Sequence, residues 1–392
     1  MMKFNTETTH LETGSLGWIA LVLGAAGLIA SAAGAFMDRA TFFEAYLTAF
    51  TFWTTLALGG MFFVLINQLT SAVWSTVLRR TAENLASLLP VMAIFAIPLL
   101  FGLHDLYHWA DHHHVAHDEI LMWKAPYLNA TFFIIRLAAY FIIWSTLVFF
   151  INRYSRRQDK GDTRATALLY RTAAIGIVPY AFTVTFFGFD LLMSLDAHWF
   201  STIFGVYIFS GGFLTALAFM TLIFIYFRKQ NLATDLIRPV HLADMAKMIF
   251  AFTVWWAYIG GAQYFLIWYG NIPEEIGWFL HRWDHGWKVI SLILIFLHFA
   301  VPFVTLTFAA TKRNSWVLGS VTSLLVIMHY VDHYWLVAPS FHQHGVTISW
   351  MNFATLIGIG GVFIWFLARR MTSAPLVPLG DPKLEKSIHF TH

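Results

Sequence analysis

Apolar residues run along this chain in ten long blocks separated by short polar stretches. A membrane-crossing helix needs about 20 apolar residues, because only a helix or a closed barrel pairs every backbone group inside lipid. The blocks predict spans at Leu16–Met37, Phe43–Leu69, Leu85–Leu103, Asn129–Asn152, Ala165–Met193, Trp199–Phe227, Met245–Tyr269, Trp287–Ala310, Ser315–Ala338 and Thr347–Ala368. The fold class expected is therefore an all-α membrane protein. Pro90 and Pro98 in the third block, Pro179 in the fifth and Pro302 in the eighth predict kinks. The first residues lack the basic start and small-residue cleavage site of a secretory signal, so the first block is expected to be a retained span.

Composition sharpens this picture. Of 392 residues only 11% are charged and 58% are hydrophobic, whereas soluble domains carry about a quarter charged residues. Too few charges remain to cover a water-facing surface of this size. The formal charge of +3 is too small and dispersed to suggest nucleic acid. The chain has no cysteine, which excludes disulfides, thiolate catalysis and cysteine-held iron–sulfur clusters. Arg39, Lys124, Arg282 and Lys288 fall on one side of the predicted topology, and Arg136 and Arg171 lie inside spans. The remaining eighteen of the 24 Lys and Arg fall on the other side. The positive-inside rule then places both termini in the cytoplasm.

The chain reads as one transmembrane domain over 1–392. Spans two to five (43–193) and six to nine (199–338) lay over each other as two four-helix units in parallel, with 16–37 and 347–368 as peripheral helices. The fifth span ends in Phe189-Asp190-Leu191-Leu192 and the ninth in Tyr330-Val331-Asp332-His333, an acid at the same end of the fourth helix in each unit.

Ionisable groups at membrane depth are costly unless paired or hydrated, so they are the first functional candidates. Arg136 lies roughly 10 Å below the start of its span by helical rise, and Asp105 or Asp190 is its expected partner. The role is either an ion pair that fixes register or a ligand contact. His104 and His108, four apart on a continuing third helix with Asp105 beside them, make a histidine–carboxylate pair suited to accepting protons from a quinol. The run Asp111-His112-His113-His114-Val115-Ala116-His117-Asp118 reads as a wet loop, since consecutive histidines point in different directions. His329, Asp332 and His333 share one face of the ninth span, and His298 lies at comparable depth in the eighth. Two readings stay open there, proton handling and a b-type haem between His298 and His329. On the basic side, Arg171, Asp244 and Lys247 join Asn67, Gln68, Glu83 and Asn84 in a second polar cluster. Tyr180, Tyr207 and Tyr258 are candidate links between the two sides, set against ordinary helix–helix hydrogen bonding.

Three segments resemble a known family: Phe101-Gly102-Leu103-His104-Asp105-Leu106-Tyr107-His108-Trp109, Phe189-Asp190 through Ser194-Leu195-Asp196-Ala197-His198-Trp199-Phe200 to Gly205, and Gln263-Tyr264 through Tyr269-Gly270-Asn271-Ile272-Pro273-Glu274-Glu275. They are similar to the NrfD/PsrC-like membrane subunits, and more narrowly to the shorter of the two such subunits of bacterial alternative complex III. The resemblance implies a membrane subunit of a quinol:electron-acceptor oxidoreductase in the bacterial inner membrane. Its expected partners are a second NrfD-like membrane subunit, an iron–sulfur subunit and multihaem cytochrome c subunits. It implies that haem c and iron–sulfur clusters sit in those partners and that this chain binds neither, nor a metal, and it leaves open whether the chain takes quinone. From the matching segments His104, Asp105, Asp190, Asp196, His198, Gln263, Tyr264 and Glu274 carry over as quinone-binding or proton-accepting candidates. A proton-translocating module without quinone and a haem b anchor remain the alternatives.

The cysteine-free chain makes topology directly testable. Gly161→Cys should resist a membrane-impermeant maleimide in intact cells, while His113→Cys should react. The reverse pattern would invert the topology.

Overall fold

The computed structural model describes Leu11, residues 15–342 and residues 344–390. Apart from Leu11, the reading of the first fourteen residues, including Lys3, lies outside this description. All ten apolar blocks form helices long and apolar enough to cross a membrane: Leu16–Met37, Arg39–Leu69, Thr76–Phe101, Ala130–Asp159, Arg164–Leu195, Phe204–Lys229, Pro239–Gly270, Trp287–Thr307, Ser315–Ser340 and Trp350–Thr372. Among the described residues there is no strand, and the protein is an all-α membrane protein.

Several spans outrun their predicted limits because polar ends continue the helix beyond the apolar block. The seventh starts at Pro239, a residue suited to a first helical turn. The third span departs from one long helix. It is built from Arg79–Ala86, Leu89–Ala96 and a 3₁₀ turn at Pro98–Phe101, broken where Pro90 and Pro98 remove backbone donors. Pro179 is carried inside a continuous helix, Arg164–Leu191. In the eighth span Leu294–Ala300 widens to a π-helix just before Pro302, and this wide turn presents His298, fully buried, to the bundle. Local π turns of this kind recur at functional sites.

The second span is the hub, packed against the third, fifth, sixth, ninth and tenth. Buried on nearly all sides, it still carries Thr48, Thr51, Thr54 and Thr55, whose hydroxyls donate to the carbonyls four residues back at 2.7–3.0 Å. Such bonds let a hydroxyl sit in an apolar interior without an orphaned donor. The sixth span, packed on the second, fifth, seventh and ninth, is its counterpart.

The first and tenth spans form one peripheral pair, which meets the hub along the tenth. Lipid offers no hydrophobic drive between helices, so close backbone approach through small residues supplies the contact. A Cβ on Gly361 would fall 2.4 Å from the Ala20 carbonyl oxygen and from Gly24 Cα, and one on Gly27 would fall 2.6 Å from Gly358 N.

At the basic end a buried charge lattice closes the bundle. Glu83 accepts from Arg79 Nε at 2.8 Å and from Ser155 Oγ at 2.7 Å, and lies 3.3 Å from Arg80. Arg79 also pairs with Asp381 and donates to Gln158 at 2.8 Å, and Arg80 pairs with Asp159. Asp381 belongs to a segment after the tenth span that straps this end. Further along that strap, Ser387 and Ile388 offer their carbonyls to His241 and Arg238, each at 2.9 Å.

Gly361→Val should drive the first span off the tenth and lower the thermal midpoint of the detergent-solubilised chain by several degrees, whereas Gly270→Val, with open space around its Cβ position, should leave it within about 1 °C. Equal midpoints for the two variants would remove the packing role.

Candidate functional site

Asp190 in the fifth span and Asp332 in the ninth are both buried, and the two acids have different company. In the first unit Asp190 accepts a fork from Arg136, Nε to Oδ2 at 2.8 Å and Nη2 to Oδ1 at 2.9 Å. Tyr127 and Tyr140 add hydroxyl donors at 2.9 and 2.6 Å. The Arg136 guanidinium lies over the Tyr127 ring at 3.8 Å and the Phe132 ring at 4.4 Å, and Nη1 donates to the Tyr127 carbonyl at 2.9 Å. Four donors saturate the Asp190 carboxylate, so this cluster is a closed ion pair.

In the second unit Asp332 is equally buried, and its partner is a phenol: Tyr207 donates to Oδ1 at 2.5 Å. On the same helix stand His329, one turn before Asp332, and His333, the next residue, both buried, their rings 4.4 Å apart. Thr55 of the hub lies 3.3 Å from His329 Nε2 and 3.4 Å from His333 Nε2, and His333 Nδ1 bonds the His329 carbonyl at 3.0 Å. His298 faces them from the π turn, its ring 6.4 Å from that of His329 and 4.1 Å from Trp256. Both ring nitrogens of His298, and Nδ1 of His329, have no protein partner. Buried polar atoms without a protein partner are uncommon in folded chains. The donor atoms of His329, Asp332 and His333 lie within 4.8 Å of one another, and among the described residues they are the one such set compact enough to close on a single ion.

Protein side chains pack closely around His298 and His329. Trp256 packs on one ring, His333 and Thr55 on the other, and a Cβ on Gly211 would come 2.9 Å from His329 Cε1.

Next to this cluster a cavity of about 340 Å³ opens among the sixth to ninth spans. Its wall is aromatic, with Trp256, Tyr264, Trp278, Phe279 and Trp335, and its polar groups are Tyr207, Gln263, Arg282 and Ser291. Gln263 accepts from Ser201 at 3.1 Å. Arg282 lies between the seventh and eighth spans, and burial pulls its guanidinium down to about 9, against the attraction of Asp196 and Tyr207. It stays a cation at neutral pH. On the far side of Arg282 a polar cavity of about 380 Å³ holds His108, His114, Asp118, Asp196, His198 and His281.

The structure thus unites Tyr207, Gln263, Tyr264, His298, His329, Asp332 and His333 around one site, and it corrects several expectations. Asp190, not Asp105, holds Arg136. Asp105 instead meets Arg39 at 2.7 Å on the surface. His104 and His108 share no helical face, because the helix ends at Leu106 and Tyr107 is extended; both histidines are exposed. Asp196 and His198 line the polar cavity, with His198 Nε2 2.6 Å from Asp118. Glu274 is exposed at the start of a short surface helix. Tyr258 and Arg171 are exposed on the outside of their spans, too far from the interior for a proton path. Tyr180 is buried, but its hydroxyl is spent on the Leu58 carbonyl at 3.0 Å. Asp244 and Lys247 form a 2.9 Å ion pair one helical turn long.

Sequence reading missed Tyr127 and Tyr140 beside Asp190. Tyr140 was findable, four residues from Arg136 on the same face. It also passed over Glu44, buried within the second span and 2.7 Å from His342, where the hydrogen bond to that carboxylate raises the imidazole above its usual range. Arg282 carried no sequence signal, since its burial depends on Trp335 and Leu336 from a distant helix.

No family model matches this chain, and no curated protein matches it.

Breaking the Arg136–Asp190 pair on one side should cost far more than removing it whole. Arg136→Ala should destabilise the chain by about 3–5 kcal/mol, and an Arg136→Met, Asp190→Leu double variant by clearly less. A double-variant cycle in detergent melts measures this, and additive losses would contradict the closed-pair reading.

Proposed function

We propose that this chain is a membrane subunit of a bacterial quinol:electron-acceptor oxidoreductase of the alternative complex III type, placed in the inner membrane with both termini in the cytoplasm. It scaffolds the complex, handles protons, and holds a quinone in the aromatic cavity of its second four-helix unit. The observation that carries the reading is Tyr207: it lines an apolar side cavity and donates its hydroxyl to a buried carboxylate, Asp332, that stands among three buried histidines. A pocket of stacked aromatic faces with a few convergent polar groups suits a flat apolar ring with oxygens at its edge. The resemblance to NrfD/PsrC-like subunits supports the same class.

In this reading a quinol hydroxyl donates to the Tyr207 oxygen while Tyr207 passes its own proton to Asp332. The O–H bond of the quinol breaks, the carboxyl O–H of Asp332 forms, and Tyr207 ends as it began. His333 and His329 lie close enough to receive the proton in turn. Electrons leave to iron–sulfur and haem c centres of partner subunits, which this cysteine-free chain cannot ligate by thiolate. The first unit, with Asp190 saturated by Arg136, serves as framework.

Asp332→Asn keeps the shape of the acid and removes its capacity to take the proton. It should cut quinol turnover of the intact complex by about 10²-fold while the bound quinone, extracted and counted, stays at the wild-type level. Full turnover would refute the assignment.

A further inference from the structure

Each helical unit buries one arginine at the histidine-rich end, and only one of them has an anion. Arg136 is forked onto Asp190. Arg282, 3% exposed, donates to three carbonyls instead: Trp335 at 3.2 Å, Trp278 at 3.0 Å and Leu336 at 2.8 Å. Its plane lies 3.4 Å from the Trp278 ring centre and 5.2 Å from that of Trp335. Among the described residues no carboxylate comes within ion-pair distance of it, Asp196 acting only through space. Carbonyl dipoles and ring faces orient a guanidinium but do not neutralise it, and a lone buried charge is a standing cost that a bound anion removes. Three of its five N–H groups are used, which leaves two for a ligand. Arg282 is part of the wall of the aromatic cavity.

The occupant those walls select is amphiphilic, with a flat apolar body against tryptophans and one anionic oxygen. We propose that Arg282 is the anion-binding group of this cavity, and that it holds the deprotonated oxygen of the bound quinol. This rests on the quinone reading above. It adds that the ligand is held as an anion once Tyr207 and Asp332 have taken its proton, and that the site exists in the second unit alone, since in the first Asp190 already fills the place of the ligand. Arg282 thereby favours loss of the proton before electrons depart.

The test uses the chain purified in detergent from its native membrane with the subunits that accompany it. Equilibrium dialysis compares a 2-hydroxy-3-alkyl-1,4-naphthoquinone, an anion at neutral pH, with its neutral 2-methoxy analogue. Wild type should bind the hydroxy compound about tenfold or more tightly than the methoxy one. Arg282→Gln should erase that preference, and Arg282→Lys should keep part of it, since a point charge remains and the planar fork is lost. Preference intact in Arg282→Gln overturns the proposal. If Arg282→Gln does not accumulate, Arg282→Lys decides, an undiminished preference again overturning it. Equal wild-type binding of both probes removes Arg282 as the anion site and leaves the quinone pocket standing. If neither probe binds, the quinone reading falls, and native mass spectrometry settles the remainder. An anionic phospholipid retained by wild type and lost from Arg282→Lys keeps Arg282 as an anion site with a lipid phosphate as occupant, and its absence ends the inference.

Discussion

Every polar group carried to membrane depth must find its partner inside the protein, and the architecture of this chain follows from how that demand is met. Asp190 meets it with four donors from three residues, which locks the fourth and fifth spans together. Asp332, at the matching place in the second unit, has one phenol and a ring of imidazoles with unpartnered nitrogens. The same constraint is met in full at Asp190 and only in part around Asp332. The threonines of the second span belong to the same solution. They place hydroxyls deep in the bundle at no cost in orphaned donors, and one of them, Thr55, reaches the two histidines that accompany Asp332.

Packing positions the chemistry without taking part in it. The π turn before Pro302 turns His298 inward. Trp256 then covers that imidazole from the seventh span and lines the aromatic cavity on its other side. One indole thus joins the cluster of titratable groups to the space a ligand would fill. Trp278 has a similar double duty, stacked 4.3 Å from Trp199 and lying beneath Arg282.

Much of the fold was legible in the sequence because the length and apolarity of a span are local properties. All ten blocks became helices, and the break in the third was readable from Pro90 and Pro98. The shared face of His329, Asp332 and His333 followed from spacing alone. The site as a whole was less legible, because it is assembled from residues far apart in sequence. The phenol on Asp332 comes from a helix 125 residues earlier, and Glu44 finds His342 across a separation of 298. His104 and His108 were misplaced for a local reason: a helix was extended past Leu106, where the backbone at Tyr107 leaves the helical path. Arg282 had looked like an ordinary loop cation, and only tertiary packing makes it a buried one.

The charge lattice at the basic end has a bearing on how the molecule is made. Arg79 and Arg80 leave the ribosome early, with Glu83 the one carboxylate near them in sequence. Asp159 follows 79 residues after Arg80, and Asp381 arrives 302 residues after Arg79. Until Asp159 is made, Glu83 is the one lattice carboxylate facing the two arginines. Arrival of the strap supplies the last carboxylate and draws the ends of the third, fourth and seventh spans under one cover. Complete pairing of Arg79 therefore depends on a residue that lies beyond the tenth span in sequence.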